Sequence, residues 1–460
     1  MTRLSLLMAA LLLAGCATAV PEPTPELPPL PTQYRNGGGE RWTVAAPAEA
    51  QPRGAWWKAF ADPALDRLVE QAAERNTDVQ QAAARLAQAR ALVRSARAER
   101  MPQVGIGTGV SREADAAPQT LWQSGASVAW EPDLFGRLAR GQDAAALDAQ
   151  AREATLHSTV LLVQSEAAQA YLALRALDAE RTLVRETVSA YAETVRLTQR
   201  RHQAGDVAEL DVVRVQAELA ATEADALALD RQRAQVEHAL AVLVGEPASS
   251  FGVDGAPWST ALPAIPPGIP GTTLARRADV AAAQASLLAA QKRVGVAQAA
   301  WFPGVTLTGN GGFASPELGD LFKWSARAWT VGALLSLPVF DGGRRDAAVQ
   351  QAQAQLDAQL AVYRGQVLAA FREVEDQLAA LRLLDEQAQA QGRAVDAARR
   401  ASTISETRYR NGLVSQLELL DARRSELRNR RQALQVRSAQ YQATVGLIRA
   451  LGGGWEVAAR

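Results

Sequence analysis

Residues 166–178 read EAAQAYLALRALD and residues 373–385 read EVEDQLAALRLLD. Glu166, Ala173, Leu174, Arg175, Leu177 and Asp178 thus recur 207 positions later as Glu373, Ala380, Leu381, Arg382, Leu384 and Asp385. The same spacing pairs Gly136-Arg137 with Gly343-Arg344, Gly205 with Gly412, Leu210 with Leu417, and Gly245 with Gly452. One register held over roughly 110 residues marks two copies of a single unit. Pro102 and Pro303 stand 201 apart, so the copies differ by a few residues in the segment between, where a turn accommodates insertions.

Outward from that register, each copy keeps the same order. A stretch rich in Ala, Gln and Arg (62–100, then 274–300) has helical character and ends at a proline, which cannot continue a helix interior. Two alternating segments follow. In the second copy Val305, Leu307, Gly309, Gly311 and Phe313 share one face and Thr306, Thr308, Asn310 and Gly312 the other, the period of a strand. Trp329, Val331, Ala333, Leu335 and Leu337 repeat the pattern, as do Val104, Ile106 and Val110 and then Trp122, Ala126, Val128 and Trp130 in the first copy. Strands are expected over about 102–112, 121–131, 304–313 and 327–338. Trp122 and Trp130, eight residues apart, are separated by about 26 Å of strand, a spacing that suits the two aromatic girdles of a membrane barrel, with Trp329 as a further member. A soluble hairpin packed on the helices is the other reading.

From Arg344 to Arg410 there is no proline, and Leu360, Val367, Val374, Leu381, Ala388 and Val395 recur every seven residues. The returning arm carries Leu413, Leu420, Leu427, Leu434, Tyr441 and Ile448 at the same spacing. Helical hairpins turning near 205 and 412 follow, and the stretch of about 67 residues from Arg344 to Arg410 would reach roughly 100 Å. Alanine at seam positions such as Ala220, Ala234 and Ala241 permits close helix approach, compatible with a hollow cylinder of helices and equally with a compact bundle.

Forty-nine basic residues balance forty-nine acidic ones, so no net field attracts a polyanion, and a nucleic-acid partner is not expected. Beyond the N-terminus no run approaches the ~18 apolar residues of a spanning helix, so strands must do any crossing of a bilayer. Arg3, the apolar run Leu6 to Leu13, and Leu13-Ala14-Gly15-Cys16 have the form of an export signal over 1–15. The tetrad resembles the bacterial lipobox, which implies lipidation of Cys16; a plain signal peptide with a chance cysteine is the alternative. Cys16 is the only cysteine, which excludes an internal disulfide. The proline- and glycine-rich segment 16–60 is expected to be a tether. His157, His202 and His238 stand singly without ligand spacing, and Gly105, Gly107 and Gly109 alternate within a strand and precede no helix, so neither a metal site nor a phosphate loop is expected. No catalytic constellation or cofactor motif is found. Four strands cannot close a barrel, since the smallest single-chain membrane barrels have about eight and an open edge in hydrocarbon is not tolerated. A membrane reading therefore requires a homo-oligomer.

With these features in place, the chain resembles the TolC superfamily, in particular its OprM-like or NodT-like outer-membrane factor lipoproteins. Trp56-Trp57-Lys58-Ala59-Phe60-Ala61-Asp62-Pro63-Ala64-Leu65 is similar to the family's opening signature. Trp130-Glu131-Pro132-Asp133-Leu134-Phe135-Gly136-Arg137 and Leu337-Pro338-Val339-Phe340-Asp341-Gly342-Gly343-Arg344 resemble its two strand-to-helix junctions. Arg408-Tyr409-Arg410-Asn411-Gly412 with Leu417-Glu418-Leu419-Leu420-Asp421 resembles its second periplasmic helical turn. The resemblance implies an α+β membrane protein: a trimeric 12-stranded transmembrane β-barrel, four strands per chain, continuous with a long periplasmic α-helical barrel built from two internal repeats. The repeats would occupy 61–250 and 274–455, with a linker at 251–273 and a tail at 456–460.

It further implies an outer-membrane exit channel in a Gram-negative bacterium, non-enzymatic and without cofactor, resting on outer-membrane lipid and meeting a periplasmic membrane fusion protein and an inner-membrane pump. By the same resemblance the periplasmic aperture falls at Leu417 and Asp421 with Glu418 beside them, although Asp421 could simply pair with Arg424. Gly205, Asp206, Asn411 and Gly412 fall at the adaptor-contacting tips, where plain turn chemistry explains the glycines equally well. A periplasmic coiled-coil scaffold without a pore also accommodates the heptads, but it has no use for duplicated hairpins with paired tryptophans.

Overall fold

The computed structural model describes residues 34–35, 54–113, 119–265 and 276–453. The signal stretch, Cys16, much of the tether and the tail 456–460 lie outside them. The helices are α1 (Pro63–Arg75), α2 (Thr77–Ala98), α3 (Arg137–Gln203), α4 (Glu209–Leu243), α5 (Ala278–Ala299), α6 (Arg344–Arg410) and α7 (Gln416–Ala450). The strands are β1 (Gln103–Glu113), β2 (Gln119–Trp130), β3 (Gly304–Ser315) and β4 (Arg327–Ser336), within two residues of expectation at each end. The helices α3 and α6 each have 67 residues, and α4 and α7 each have 35. Contacts divide the chain into two compact units, one containing residues 83–155 and 279–366 and the other the remaining described residues, so that each draws on both halves of the sequence.

The first unit holds the sheet, antiparallel in the order β1-β2-β3-β4. Its register fixes two unlike faces. Val104 opposes Val128, Val128 opposes Gly309, and Gly309 opposes Val331, so the apolar alternates share one side. Gly107, Gly125, Gly312 and Ala328 form a row on the other. At the β2–β3 seam a Cβ added to Gly312 would lie 2.3 Å from the Ser124 carbonyl oxygen, so this pairing admits only glycine there. Both strand-to-helix junctions work as caps. The Asp133 carboxylate accepts from the amides of Leu138 (3.1 Å) and Ala139 (2.7 Å) at the start of α3. Asp341 accepts from the amides of Gly343 (3.1 Å) and Arg345 (3.2 Å) at the start of α6, and from Arg345 Nε at 2.6 Å. Phe135 stacks on Phe302 with centroids 4.9 Å apart.

The second unit has a core of Trp56, Phe60, Leu65, Leu172, Tyr441 and Ile448 with their neighbours. The segment Trp56–Phe60, expected to end the tether, is instead a buried 3₁₀ turn, because three large aromatic side chains gain more from burial than a solvated tether offers. The expected helix over 62–100 breaks at Asn76. Its side chain accepts from Asp78 N (2.8 Å) and donates to Leu243 O (3.1 Å), starting α2 while closing α4. Buried Asp178 gathers Arg175 (3.1 Å), Arg181 (3.2 Å) and Arg233 (2.7 Å), whereas the second-copy Arg382 lies half-exposed beside Glu386 at 3.2 Å.

Asp62 explains the Asp-Pro-Ala-Leu part of the opening signature. One oxygen caps α1 through Ala64 N (3.0 Å) and Leu65 N (3.4 Å), and the other accepts from Tyr171 (2.9 Å) and Thr260 (2.8 Å) hydroxyls. Burial pushes its carboxyl up, but the four hydrogen bonds outweigh it and hold the pKa below the usual 3.8. Asp62→Ala is expected to cost ~1 kcal/mol for the cap and a further ~1–3 kcal/mol for each buried hydroxyl left unpaired, read as a loss of thermal stability. Because the folded-state pKa is depressed, the stability from Asp62 is present above its ordinary pKa and is lost as pH falls through the folded value. The wild type should lose thermal stability over that acid range and the variant should lack this component.

Candidate functional site

Helix α7 begins at Gln416, where Ser415 Oγ accepts from Glu418 N at 3.3 Å. Leu413, the first expected heptad position of this arm, therefore lies in the turn and is exposed. Gly412 (φ +72°) and Gly205 (φ +82°) both hold the left-handed conformation that closes a helix. Leu413 N donates to Arg408 O at 2.9 Å and Asp206 N to Arg201 O at 2.8 Å, the same closing bond at both tips. Open space surrounds both glycines, so backbone conformation alone requires them. Asp206 and Asn411 are exposed beside them. Turn chemistry accounts for the tips and leaves their outer surface available.

On the first turns of α7, Leu417, Glu418 and Asp421 point outward while Gln416, Leu419 and Leu420 are buried. Leu417 is 46% exposed and the Asp421 side chain 62%. Leu420 packs with Tyr191, Val195 and Val215, which seats α7 on α3 and α4. Polar ties reinforce the seat. Gln416 Nε2 donates to Thr198 Oγ1 (3.1 Å), and Arg423 donates to Thr194 Oγ1 (2.6 Å) while facing Glu406 at 3.5 Å. Arg424 reaches Glu218 on α4 through two nitrogens, Nε to Oε2 at 2.8 Å and Nη2 to Oε1. That hydrogen-bonded guanidinium holds the Glu218 carboxyl below its ordinary range. Asp421 does contact Arg424 Nη1, at 3.4 Å, but Arg424 is committed chiefly to Glu218 and Asp421 stays largely in solvent. The expected pairing and an outward-facing Asp421 coexist. The Arg424–Glu218 tie was missed because it joins residues 206 positions apart, and no local spacing signals it.

In the sheet, Trp122, Trp130 and Trp329 share the apolar face. Trp130 Nε1 donates to Arg100 O at 3.0 Å. Trp329 stands on the row of Gly311 and Ala126, four residues from each of Trp122 and Trp130, rather than level with either. Among the described residues no group of three or more His, Cys, Asp or Glu could hold a metal, and no helix is long and apolar enough to cross a membrane.

The outer membrane efflux protein family model matches residues 68–246 and 269–453. The chain belongs to this family. It is thereby a member of the TolC superfamily, as its motifs suggested. Among similar proteins, the probable efflux pump outer membrane protein TtgC of Pseudomonas putida is 32% identical over 98% of this chain and 95% of its own length. The solved outer-membrane channel OprN superposes with a TM-score of 0.88 at 32% identity, covering 95% of this chain and all of the other. The open-state channel MtrE of Neisseria gonorrhoeae superposes with a TM-score of 0.84 at 27% identity over 95% of this chain and 98% of that one. The outer-membrane efflux protein described here is therefore alike in fold and sequence to channels of efflux systems.

Proposed function

We propose that three copies of this efflux protein close a 12-stranded transmembrane barrel and a periplasmic helical barrel, forming the passive exit duct of a tripartite pump. The observation that carries this reading is the sheet. Its apolar face is bare, with Val331 80% and Trp329 74% exposed, and β1 and β4 present unpaired edges among the described residues. In water such a face and such edges invite aggregation. In a bilayer the face is solvated by lipid and the edges pair with those of neighbouring copies. Strand tilt in such a barrel would move Trp329 off the level given by its ladder row and toward one of the girdles marked by Trp122 and Trp130.

Cys16 is the lipid anchor, holding the protein at the outer membrane. A periplasmic membrane fusion protein meets the tips at Gly205, Asp206, Asn411 and Gly412, and an inner-membrane pump supplies the energy. Leu417 and Asp421 line the narrowest periplasmic passage, with Glu418 adjacent. Three Asp421 carboxylates around an axis make an acidic ring that favours cations.

The experiment is conductance in a planar bilayer. Purified wild-type trimer is expected to pass ions with a cation preference, and Asp421→Ala to raise the single-channel conductance and reduce that preference. A trimer that inserts but never conducts would sink the channel reading, while unchanged conductance and preference in Asp421→Ala would remove the aperture assignment alone.

A further inference from the structure

The face of the sheet opposite the tryptophans is as distinctive as the apolar one. Among the described residues, the alternate positions 103 to 111, 121 to 129, 304 to 314 and 328 to 336 carry no Asp, Glu, Lys or Arg, and the register brings an acid to this side only at Glu113, the last residue of β1. One row runs Gly105, Ser127, Asn310, Thr330, with Asn310 Nδ2 donating to Thr330 Oγ1 at 3.3 Å. The next row, Gly107, Gly125, Gly312 and Ala328, has almost no side chains. The chain as a whole is about one-fifth charged, so a continuous patch of this extent without charge is a marked departure.

We propose that the body of this face, short of Glu113 at the end of β1, is a charge-neutral stretch of exit lumen, lined by hydroxyls, amides and bare backbone with Leu121 and Leu334 among them, which admits organic solutes of either charge and applies no electrostatic filter along its length. The proposal rests on the barrel reading, which turns the tryptophan face to lipid and leaves this face to the solute. Selectivity in a wide pore comes from rings of like charge, and neutral dipoles contribute far less over the width of such a lumen. The row of glycines widens the passage where a side chain would narrow it. Neutral and amphipathic molecules lose little hydration here, while hydroxyl and amide groups satisfy polar substituents in passing. Any sorting by charge falls to other parts of the chain.

The test uses full-length protein carrying Asp421→Ala, so that the narrow acidic ring in series does not set the ratio, in planar bilayers under a salt gradient. Ser127→Asp and Ser127→Lys each place three like charges in the trimer lumen. The cation-to-anion permeability ratio should rise at least about threefold in the first and fall by a similar factor in the second, with both variants still conducting. Val128→Asp, one residue along and on the lipid face, should instead lose membrane insertion. The proposal is overturned if both Ser127 variants insert with unaltered permeability ratios, or if they fail to insert while Val128→Asp succeeds. A wild type that inserts without conducting would defeat the channel reading itself, a distinct outcome.

Discussion

Arg424→Ala is expected to open the resting state of the proposed channel. In the proposed trimer, the passage at Leu417 and Asp421 narrows only while α7 stays seated on its neighbours, and Arg424 supplies the two-point tie to Glu218 on α4. The pair is partly exposed, so a single copy contributes only about 1 kcal/mol. If the three subunits open together the contributions add to about 3 kcal/mol, a factor of ~10² in the balance of closed and open states. The variant should show a several-fold higher open probability in single-channel recordings, and Glu218→Gln should move in the same direction. Arg424→Lys keeps the charge but loses the fork geometry, and should fall between. Arg372→Ala removes a remote, exposed partner of Asp376 and should leave the recordings unchanged. Because the Glu218 pKa is depressed, the tie is intact above the ordinary carboxylate pKa and weakens only as pH falls through the lowered value. Acidification over that range should raise the wild-type open probability and leave Arg424→Ala unaffected. Equal gating in Arg424→Ala and wild type would show that α7 is held by its apolar seat and not by this ion pair.

The contrast between this tie and the strands shows what the sequence could disclose. Alternation is a local property, so Val104, Ile106 and Val110 announced β1 without knowledge of any neighbour, and the alternation of Val305, Leu307 and Phe313 and of Trp329, Val331 and Leu335 announced β3 and β4 in the same way. The buried heptad positions Val367, Val374, Tyr441 and Ile448 were legible for the same reason. The relative level of Trp329 was not, because it depends on a β2–β3 register between segments almost 200 residues apart. Nor was the break at Asn76 read, although Asn76, Thr77 and Asp78 are weak helix formers and Asn76 caps α2 through Asp78 N; its bond to Leu243 O, 167 positions away, has no local signal. The duplication itself misled in one respect. Arg175 and Asp178 are sealed in the core, while their counterparts Arg382 and Asp385 lie nearer solvent, because the linker at Val253 and Asp254 folds onto the first copy. Equal motifs thus take unequal surroundings, and a charge that looks repeated need not act twice.

Gly312→Val is expected to abolish the proposed trimeric channel. The sheet joins the two halves of the chain only through β2 and β3, and at the centre of that seam Gly125 opposes Gly312. A Cβ at Gly312 would lie 2.3 Å from Ser124 O and 2.5 Å from Gly125 Cα, both backbone atoms that no rotamer change can move aside. Overpacking a yielding core costs ~1–3 kcal/mol, and a rigid ladder offers less relief than a core. The strands would have to separate or shift register, and a shift of one residue exchanges the polar face for the apolar one. In the proposed barrel either result would leave polar backbone or the wrong side chains in hydrocarbon, each unsatisfied group costing several kcal/mol. The expected outcome is little or no trimer in the outer-membrane fraction. Gly107→Ala lies on the same row but meets no atom within 4 Å, so it should assemble normally. Gly125→Ala, with its nearest contact at 2.8 Å, should give an intermediate yield. Normal assembly of Gly312→Val, judged by heat-modifiable migration of the trimer, would mean that β2 and β3 do not pair as described, and the closed barrel would have to be built with a different strand order.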